Sequence, residues 1–261
     1  MPSDSPVAAR FRRDHVLIAI CVVLITALAW AYLVHLDGQM SSPGEPGTMA
    51  KMAMVMDSRW STSAVLFTFV MWMVMMIAMM TPSAAPVLLL VAKARSPRTE
   101  RGAPLAVICF GLGYLAVWLG FSACAALAQS GLRATALLSS SMAVSSPRLA
   151  GAILIAAGAY QFTPLKAGCL TQCQSPLGFL MGNWRDGNSG AFRMGVGHGT
   201  YCLGCCWAVM CVLFAVGVMN LAWVGVLSVF VLLEKLGPNG VRVARAGGAF
   251  MVACGVLFIA K

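Results

Sequence analysis

Charged residues are scarce in this sequence. Asp, Glu, Lys and Arg make up 10% of its 261 residues, hydrophobic residues make up 60%, and the mean hydropathy is +0.84. Soluble domains carry about 25% charged residues. The composition therefore excludes an ordinary soluble domain and predicts an integral membrane protein whose first partner is the lipid bilayer.

Catalytic and nucleotide-binding motifs are also missing. The chain has no P-loop, dinucleotide fingerprint, HExxH motif, Ser-His-Asp set or paired carboxylates. ATP-driven pumping is therefore not encoded in it, and no motif assigns an enzymatic activity. Its 18 Lys and Arg residues exceed its 8 Asp and Glu residues, but they lie between the apolar runs, which argues against nucleic-acid binding.

Long apolar runs dominate what is present, and about 20 apolar residues suffice to cross a bilayer as a helix. The runs predict an all-α polytopic membrane bundle of about seven transmembrane helices within a single membrane domain, 16–260. The count falls to six if one of the two shortest runs does not cross. The predicted spans are 16–34, 63–81, 104–128, 149–163, 197–216, 220–233 and 243–260.

The distribution of basic residues predicts the orientation of these spans. With the N-terminus in the cytoplasm, 13 of the 18 Lys and Arg residues fall on the cytoplasmic side, as the positive-inside rule requires. Residues 1–15 then form a cytoplasmic basic tail, 35–62 an outer loop containing methionines, and 164–196 a cytoplasmic loop containing cysteines. Thiols on that side stay reduced.

Residues 161–211 hold six of the ten cysteines and one of the three histidines. On a helix, His198, Cys202 and Cys205 lie on successive turns of one stripe, and Cys206 lies at its edge. Cys169 and Cys173 share a face if their segment is helical. Glycines flanking His198 allow either close helix packing or a sharp entrance into the fifth span.

Thiolate and imidazole are ligands for Cu(I) and Zn(II), so this cluster predicts a metal site. The alternative is that buried cysteine packs as a small apolar residue in membrane helices. That alternative suits the scattered cysteines at positions 21, 109, 124 and 254 better than it suits the cluster.

Methionines in the outer loop favour copper over zinc. Met49, Met52, Met54 and Met56 lie in a polar segment with no core to fill, and thioether sulfur suits Cu(I). They are candidate outer ligands, whereas zinc remains the alternative metal for the Cys/His site. The second span also contains a methionine run, 71–80, which we interpret mainly as packing. Glu234 and Lys235 end the sixth span on the cytoplasmic side and could neighbour the cysteine cluster. We favour the alternative that they are a membrane-edge pair with Lys235 snorkelling.

Three segments of the chain resemble a bacterial family of multi-spanning inner-membrane proteins of unknown function, described as predicted metal-binding. They are MWMVMMIAMMTPSAAP (71–86), QFTPLKAGCLTQC (161–173) and NWRDGNSGAFRMGVGHGTYCLGCCWAVM (183–210), and a fourth, 219–238, is similar. The resemblance implies transition-metal handling in the bacterial inner membrane. Its implied ligands, carried over by position, are Cys169, Cys173, His198, Cys202, Cys205 and Cys206.

The leading hypothesis is a membrane protein that binds, transfers or transports Cu(I) at a cytoplasmic-side Cys/His site. A thiol-containing metallochaperone or a membrane-complex partner would exchange the metal with it. One alternative is a membrane thiol–disulfide oxidoreductase using the pairs Cys169/Cys173 and Cys202/Cys205. Another is an assembly or scaffold subunit whose cysteines only pack. Whether Cys169 and Cys173 share a site with His198, Cys202 and Cys205 stays open at this point.

Overall fold

The computed structural model describes residues 6–41, 62–95, 103–139 and 142–260. Within these ranges the chain forms nine α-helices and no named strand, which confirms the predicted all-α class. In chain order the helices are α1 (Pro6–Ser41), α2 (Thr62–Arg95), α3 (Ala103–Ala134), α4 (Pro147–Tyr160), α5 (Pro164–Gln174), α6 (Pro176–Asn183), α7 (Gly187–Val216), α8 (Leu221–Leu236) and α9 (Gly240–Ala260).

Five of the described helices, α1, α2, α3, α7 and α9, are long and apolar enough to cross a membrane. The predicted fourth and sixth spans coincide with α4 and α8, which have 14 and 16 residues. At 1.5 Å per residue these two helices are about 21 and 24 Å long, shorter than the bilayer core of about 30 Å. The count of seven spans therefore stays a prediction.

Helix α2 continues beyond the predicted end of the second span at residue 81. It passes through Pro82 and Pro86 and ends at Arg95. Proline is tolerated within membrane helices where neighbouring groups satisfy the backbone groups that it leaves free. Close to Pro82, the hydroxyl groups of Ser83 and Tyr114 both donate to the carbonyl of Met80, at 2.8 and 3.0 Å, and the bond from Tyr114 links α2 to α3.

The segment 164–196, predicted as a cysteine-containing loop, is mostly helical. It contains α5 and α6, and α7 begins at Gly187, ten residues before the predicted start. Proline starts both short helices at positions where its missing N–H costs nothing. In α5 the hydroxyl of Thr163 also accepts a hydrogen bond from the backbone N–H of Lys166 at 3.3 Å.

The ends of other helices also differ from the predicted spans. Helix α1 includes residues from the predicted basic tail and from the start of the predicted outer loop, and α3 extends to Ala134. The outer-loop candidates Met49, Met52, Met54 and Met56 lie outside the described residues, so their role stays a prediction.

Glycines bring α3 and α7 into backbone contact. A Cβ atom at Gly195 would overlap the carbonyl oxygen of Phe110, and one at Gly113 would overlap that of Phe192. Gly195 therefore serves helix packing, since it lies two turns inside α7 rather than at the helix start. This close approach places the N-terminal half of α7 against α3, and α2 also packs against α3.

Candidate metal centre

Helix α7 carries the central thiols into the protein interior. Cys202, Cys205 and Cys206 are 1%, 0% and 0% exposed. Their spacing of three and four residues places them on neighbouring turns of the helix. The thiol of Cys205 donates to the carbonyl of Cys202 at 3.1 Å, and its sulfur lies 3.3 Å from that of Cys206.

Helix α5 packs against α7 and adds the thiol of Cys173 to those of α7. The Sγ atom of Cys173 lies 3.9 Å from the Sγ atom of Cys205. Cys169, one turn earlier, packs against Gly204, where a Cβ atom would lie only 2.7 Å from the Cys169 sulfur. Cys173 thus joins the cluster on α7, and Cys169 lies beside it.

The thiols of α5 lie outside the long apolar helices and keep part of their surface exposed. A hydrogen bond to Cys202, together with burial, raises the pKa of the Cys173 thiol. Burial raises the pKa of the Cys169 thiol. Both cysteines therefore favour the protonated form without metal, and metal binding to them would release protons.

Lys235 is part of the cluster and does not snorkel to the membrane edge. Its side chain is 4% exposed, and its Nζ atom donates to the Cys202 sulfur at 2.8 Å. The same Nζ atom donates to Ser83 Oγ at 3.2 Å and lies 3.8 Å from Met80 Sδ. The sequence interpretation is wrong because α8 packs against α2 and α7 and directs this side chain inward, where it finds polar partners.

Glu234, the neighbour of Lys235, is committed to a different partner. Both of its carboxylate oxygens accept hydrogen bonds from Lys166 Nζ, at 3.0 and 2.8 Å. The two side chains are 0% and 1% exposed, and Gln174 donates to the backbone carbonyl of Glu234 at 2.7 Å. Sequence reasoning missed this link between α5 and α8. The available signal was the rarity of ionisable residues within apolar helices, where they usually find partners.

Tyr114 of α3 contacts both the thiol cluster and α2. Its hydroxyl oxygen lies 3.1 Å from the Cys202 sulfur while it donates to the Met80 carbonyl. Sequence reasoning did not identify this residue, because nothing in the pattern of α3 distinguishes it from other buried aromatic residues.

His198 lies on the same stripe as Cys202 but among aromatic rings. Its ring centroid is 5.0 Å from that of Phe179 and 6.0 Å from those of Phe110 and Tyr114. The side chain is 3% exposed, and its Nδ1 atom has no hydrogen-bond partner. A buried nitrogen without a partner is unusual and leaves this atom free to act as a ligand.

The spacing of the thiols can be compared with the spacing that one shared metal ion requires. Among the described residues, no group of three or more His, Cys, Asp or Glu is arranged to hold a metal ion. Two thiolates that share one ion at about 2.3 Å each must lie within about 4.6 Å of each other. The Cys173 and Cys205 sulfur atoms, 3.9 Å apart, meet this limit.

Five of the six methionines in the 71–80 run of α2 are buried. Met71, Met75, Met76, Met79 and Met80 are 0–2% exposed and belong to the same apolar core as the thiols. This burial agrees with the interpretation of the run as packing. Met80 alone is distinguished by its contact with Lys235.

Comparison with known protein families matches residues 69–258 to the PpoB2 family, described as copper chaperones. The matched region covers most of the chain and includes every thiol of the cluster. No curated protein and no solved structure matches the sequence.

Proposed function

The chain belongs to the PpoB2 family of copper chaperones, and from this premise we propose that it handles Cu(I) within the bacterial inner membrane. The thiols of Cys173 and Cys205 would hold the metal as a pair. Cys169, His198, Cys202 and Cys206 would be neighbouring ligands with which the ion exchanges. The five long apolar helices support an integral membrane protein.

One observation carries the proposal. Cys173 and Cys205 come from separate helices, yet their sulfur atoms lie 3.9 Å apart, with Cys205 fully buried and Cys173 partly exposed. Cys206 extends this pair, with its sulfur 3.3 Å from that of Cys205. Adjacent thiols select soft ions such as Cu(I) over the hard cations that prefer oxygen ligands.

The gradient of exposure across the thiols supports transfer by ligand exchange. Cys169 and Cys173 on α5 are partly exposed, whereas the three α7 thiols are fully buried. A partner's thiol would reach α5 first, so copper would pass from that thiol to Cys173 and then to Cys205. Stepwise exchange between thiolates avoids the release of a tightly bound ion into water.

The outer-loop methionines extend the proposal across the membrane. If α2 and the basic-residue distribution set the orientation as predicted, Met49, Met52, Met54 and Met56 face the side opposite the thiols. They would then take up or release the copper that the thiols exchange on the cytoplasmic side.

Copper stoichiometry tests the proposal. Purified anaerobically, the wild-type protein is expected to retain stoichiometric copper, and the double variant Cys202→Ser/Cys205→Ser is expected to lose it. The matched control is Cys124→Ser/Cys254→Ser, because these two cysteines are not in the cluster and should not affect copper content. Unchanged copper in the cluster variant would rule out the proposed site.

The thiol–disulfide oxidoreductase remains the alternative, supported by the same sulfur pair. Cys173 and Cys205 would need to approach from 3.9 Å to about 2.05 Å to form a disulfide. This pairing between α5 and α7 would differ from the pairs Cys169/Cys173 and Cys202/Cys205, which are close in sequence. Metal-free protein that forms a mixed disulfide with a partner would favour this activity over copper binding.

A further inference from the structure

The ammonium group of Lys235 occupies a position suited to a metal ion. Three atoms surround it within 4 Å: the thiol sulfur of Cys202, the thioether sulfur of Met80 and the hydroxyl oxygen of Ser83. Ammonium ordinarily pairs with carboxylates or stays hydrated. Two sulfur atoms from separate helices are instead the ligands that Cu(I) prefers.

Among the described residues, the hydrogen bonds that this cation donates go to sulfur and hydroxyl groups, and none goes to a carboxylate. Glu234 is the only buried acid there, and both of its oxygens are bonded to Lys166. The direct partners of Lys235 are therefore sulfur and hydroxyl groups, while Glu234 interacts with it without a hydrogen bond. A neighbouring lysine stabilises a thiolate.

We propose that Cys202 and Met80 form a Cu(I) subsite in which Lys235 is a tethered cation that leaves when the metal binds. This inference rests on the proposed function, because it requires that Cu(I) reach the thiol cluster. One positive charge replaces another at Cys202, so loading leaves the net charge of the buried site unchanged. The Cys202–copper bond forms as the hydrogen bond from Lys235 breaks, and no electron is transferred.

The position of Lys235 in its helix provides a route for this exchange. It is the second-last residue of α8, and Leu236, which ends the helix, is 55% exposed. A lysine stem this close to a helix end can turn toward the membrane surface and place its charge in water. When copper is handed to an acceptor, the ammonium returns to Cys202 and stabilises the free thiolate.

Chemical labelling of the two buried lysines tests the exchange in the unmodified protein. Full-length protein in detergent is treated with an amine-acylating reagent, with and without Ag(I), a redox-inert monovalent stand-in for Cu(I), and each site is quantified by mass spectrometry. Labelling of Lys235 is expected to rise by about tenfold or more with Ag(I), because a buried amine reacts only through rare opening. Lys166 is the internal control and should stay protected.

Bound Ag(I) is measured on the same samples so that the failures can be distinguished. Stoichiometric Ag(I) with an unchanged Lys235 would overturn the tethered-cation role and leave the proposed function standing. Absence of bound Ag(I) would overturn both.

A variant pair tests the return of the ammonium. Lys235→Met should slow copper transfer to an excess of a small dithiol by about tenfold, the equivalent of one charge-assisted hydrogen bond. Lys235→Arg keeps a cation beside Cys202 and should restore most of the rate. Transfer from Lys235→Met at the wild-type rate would contradict the proposal.

Discussion

Two lysines are buried within the same part of the molecule, but their surroundings differ in kind. Lys166 on α5 is 1% exposed and bonds both oxygens of Glu234. Lys235 on α8 is 4% exposed and contacts two sulfur atoms and a hydroxyl. The first cation has a partner of fixed charge, whereas the second has partners that also bind soft metals.

The difference separates a structural link from an exchangeable one. A buried ion pair between a lysine and a carboxylate is costly to break, because removing either partner leaves the other as an uncompensated buried charge. A lysine beside a thiol can be replaced there by another cation. The Lys166–Glu234 pair would thus hold α5 and its thiols against the bundle while Lys235 moves.

Breaking the structural link should have the largest effect on stability. Lys166→Met leaves Glu234 buried without its cation, so we expect the free energy of unfolding to fall by about 3–5 kcal/mol. Thermal unfolding of the detergent-solubilised protein would measure this loss.

The control removes both charges. Lys166→Met/Glu234→Leu replaces the pair by apolar side chains of similar size, and such replacements are often neutral or stabilising. The double variant should therefore recover most of the stability and bind copper as the wild type does. A double variant as unstable as the single one would show that the charges themselves are needed.

Separating α3 from α7 should reduce stability less, and it should mainly disturb the surroundings of Cys202 and Lys235. Gly195→Ala forces a methyl group against the backbone of Phe110, and overpacking of this kind costs about 1–3 kcal/mol. Because Tyr114 lies on α3, the shift would also move it away from Cys202. The free energy of unfolding and the affinity for copper are both expected to fall.

Gly111 of α3 provides the matched substitution. No heavy atom lies within 4 Å of a Cβ atom built there, so Gly111→Ala should leave packing unchanged and gain about 0.5–1 kcal/mol from the lost flexibility of glycine. Equal destabilisation by the two alanines would contradict the role of Gly195 in helix contact.

The smallest effect is expected for the hydroxyl beside Cys202. Tyr114→Phe removes a donor to the Met80 carbonyl and a contact with the Cys202 sulfur. The loss of a buried hydrogen bond costs about 0.5–1.5 kcal/mol. Thermal unfolding relative to wild type would show it, and a loss as large as that of Lys166→Met would refute the ranking.

The sequence was sufficient to predict the long helices, because hydropathy is a property of each segment alone. It was insufficient at Pro82, where proline is typical of a helix end but α2 continues to Arg95, packed against α3. It was also insufficient at 164–196, where the short helices pack against other parts of the bundle.

The thiols show the same division between local and tertiary information. The spacing of Cys202, Cys205 and Cys206 correctly predicts their common helix, since three- and four-residue intervals fix neighbouring turns. The contact of Cys173 with Cys205 depends on how α5 folds back on α7, which no spacing encodes. Lys235 was misread because position near a helix end predicts snorkelling unless the packing of that end is known.

The burial of the α7 thiols also determines how they meet oxidants. Peroxide oxidises thiolates that are exposed to solvent. Cys202, Cys205 and Cys206 expose at most 1% of their surface. A cuprous ion held among these three thiols would be shielded from peroxide, so it would not generate hydroxyl radicals while it stayed there. The apolar wall of the bundle would then protect the cell from the cargo as well as holding it.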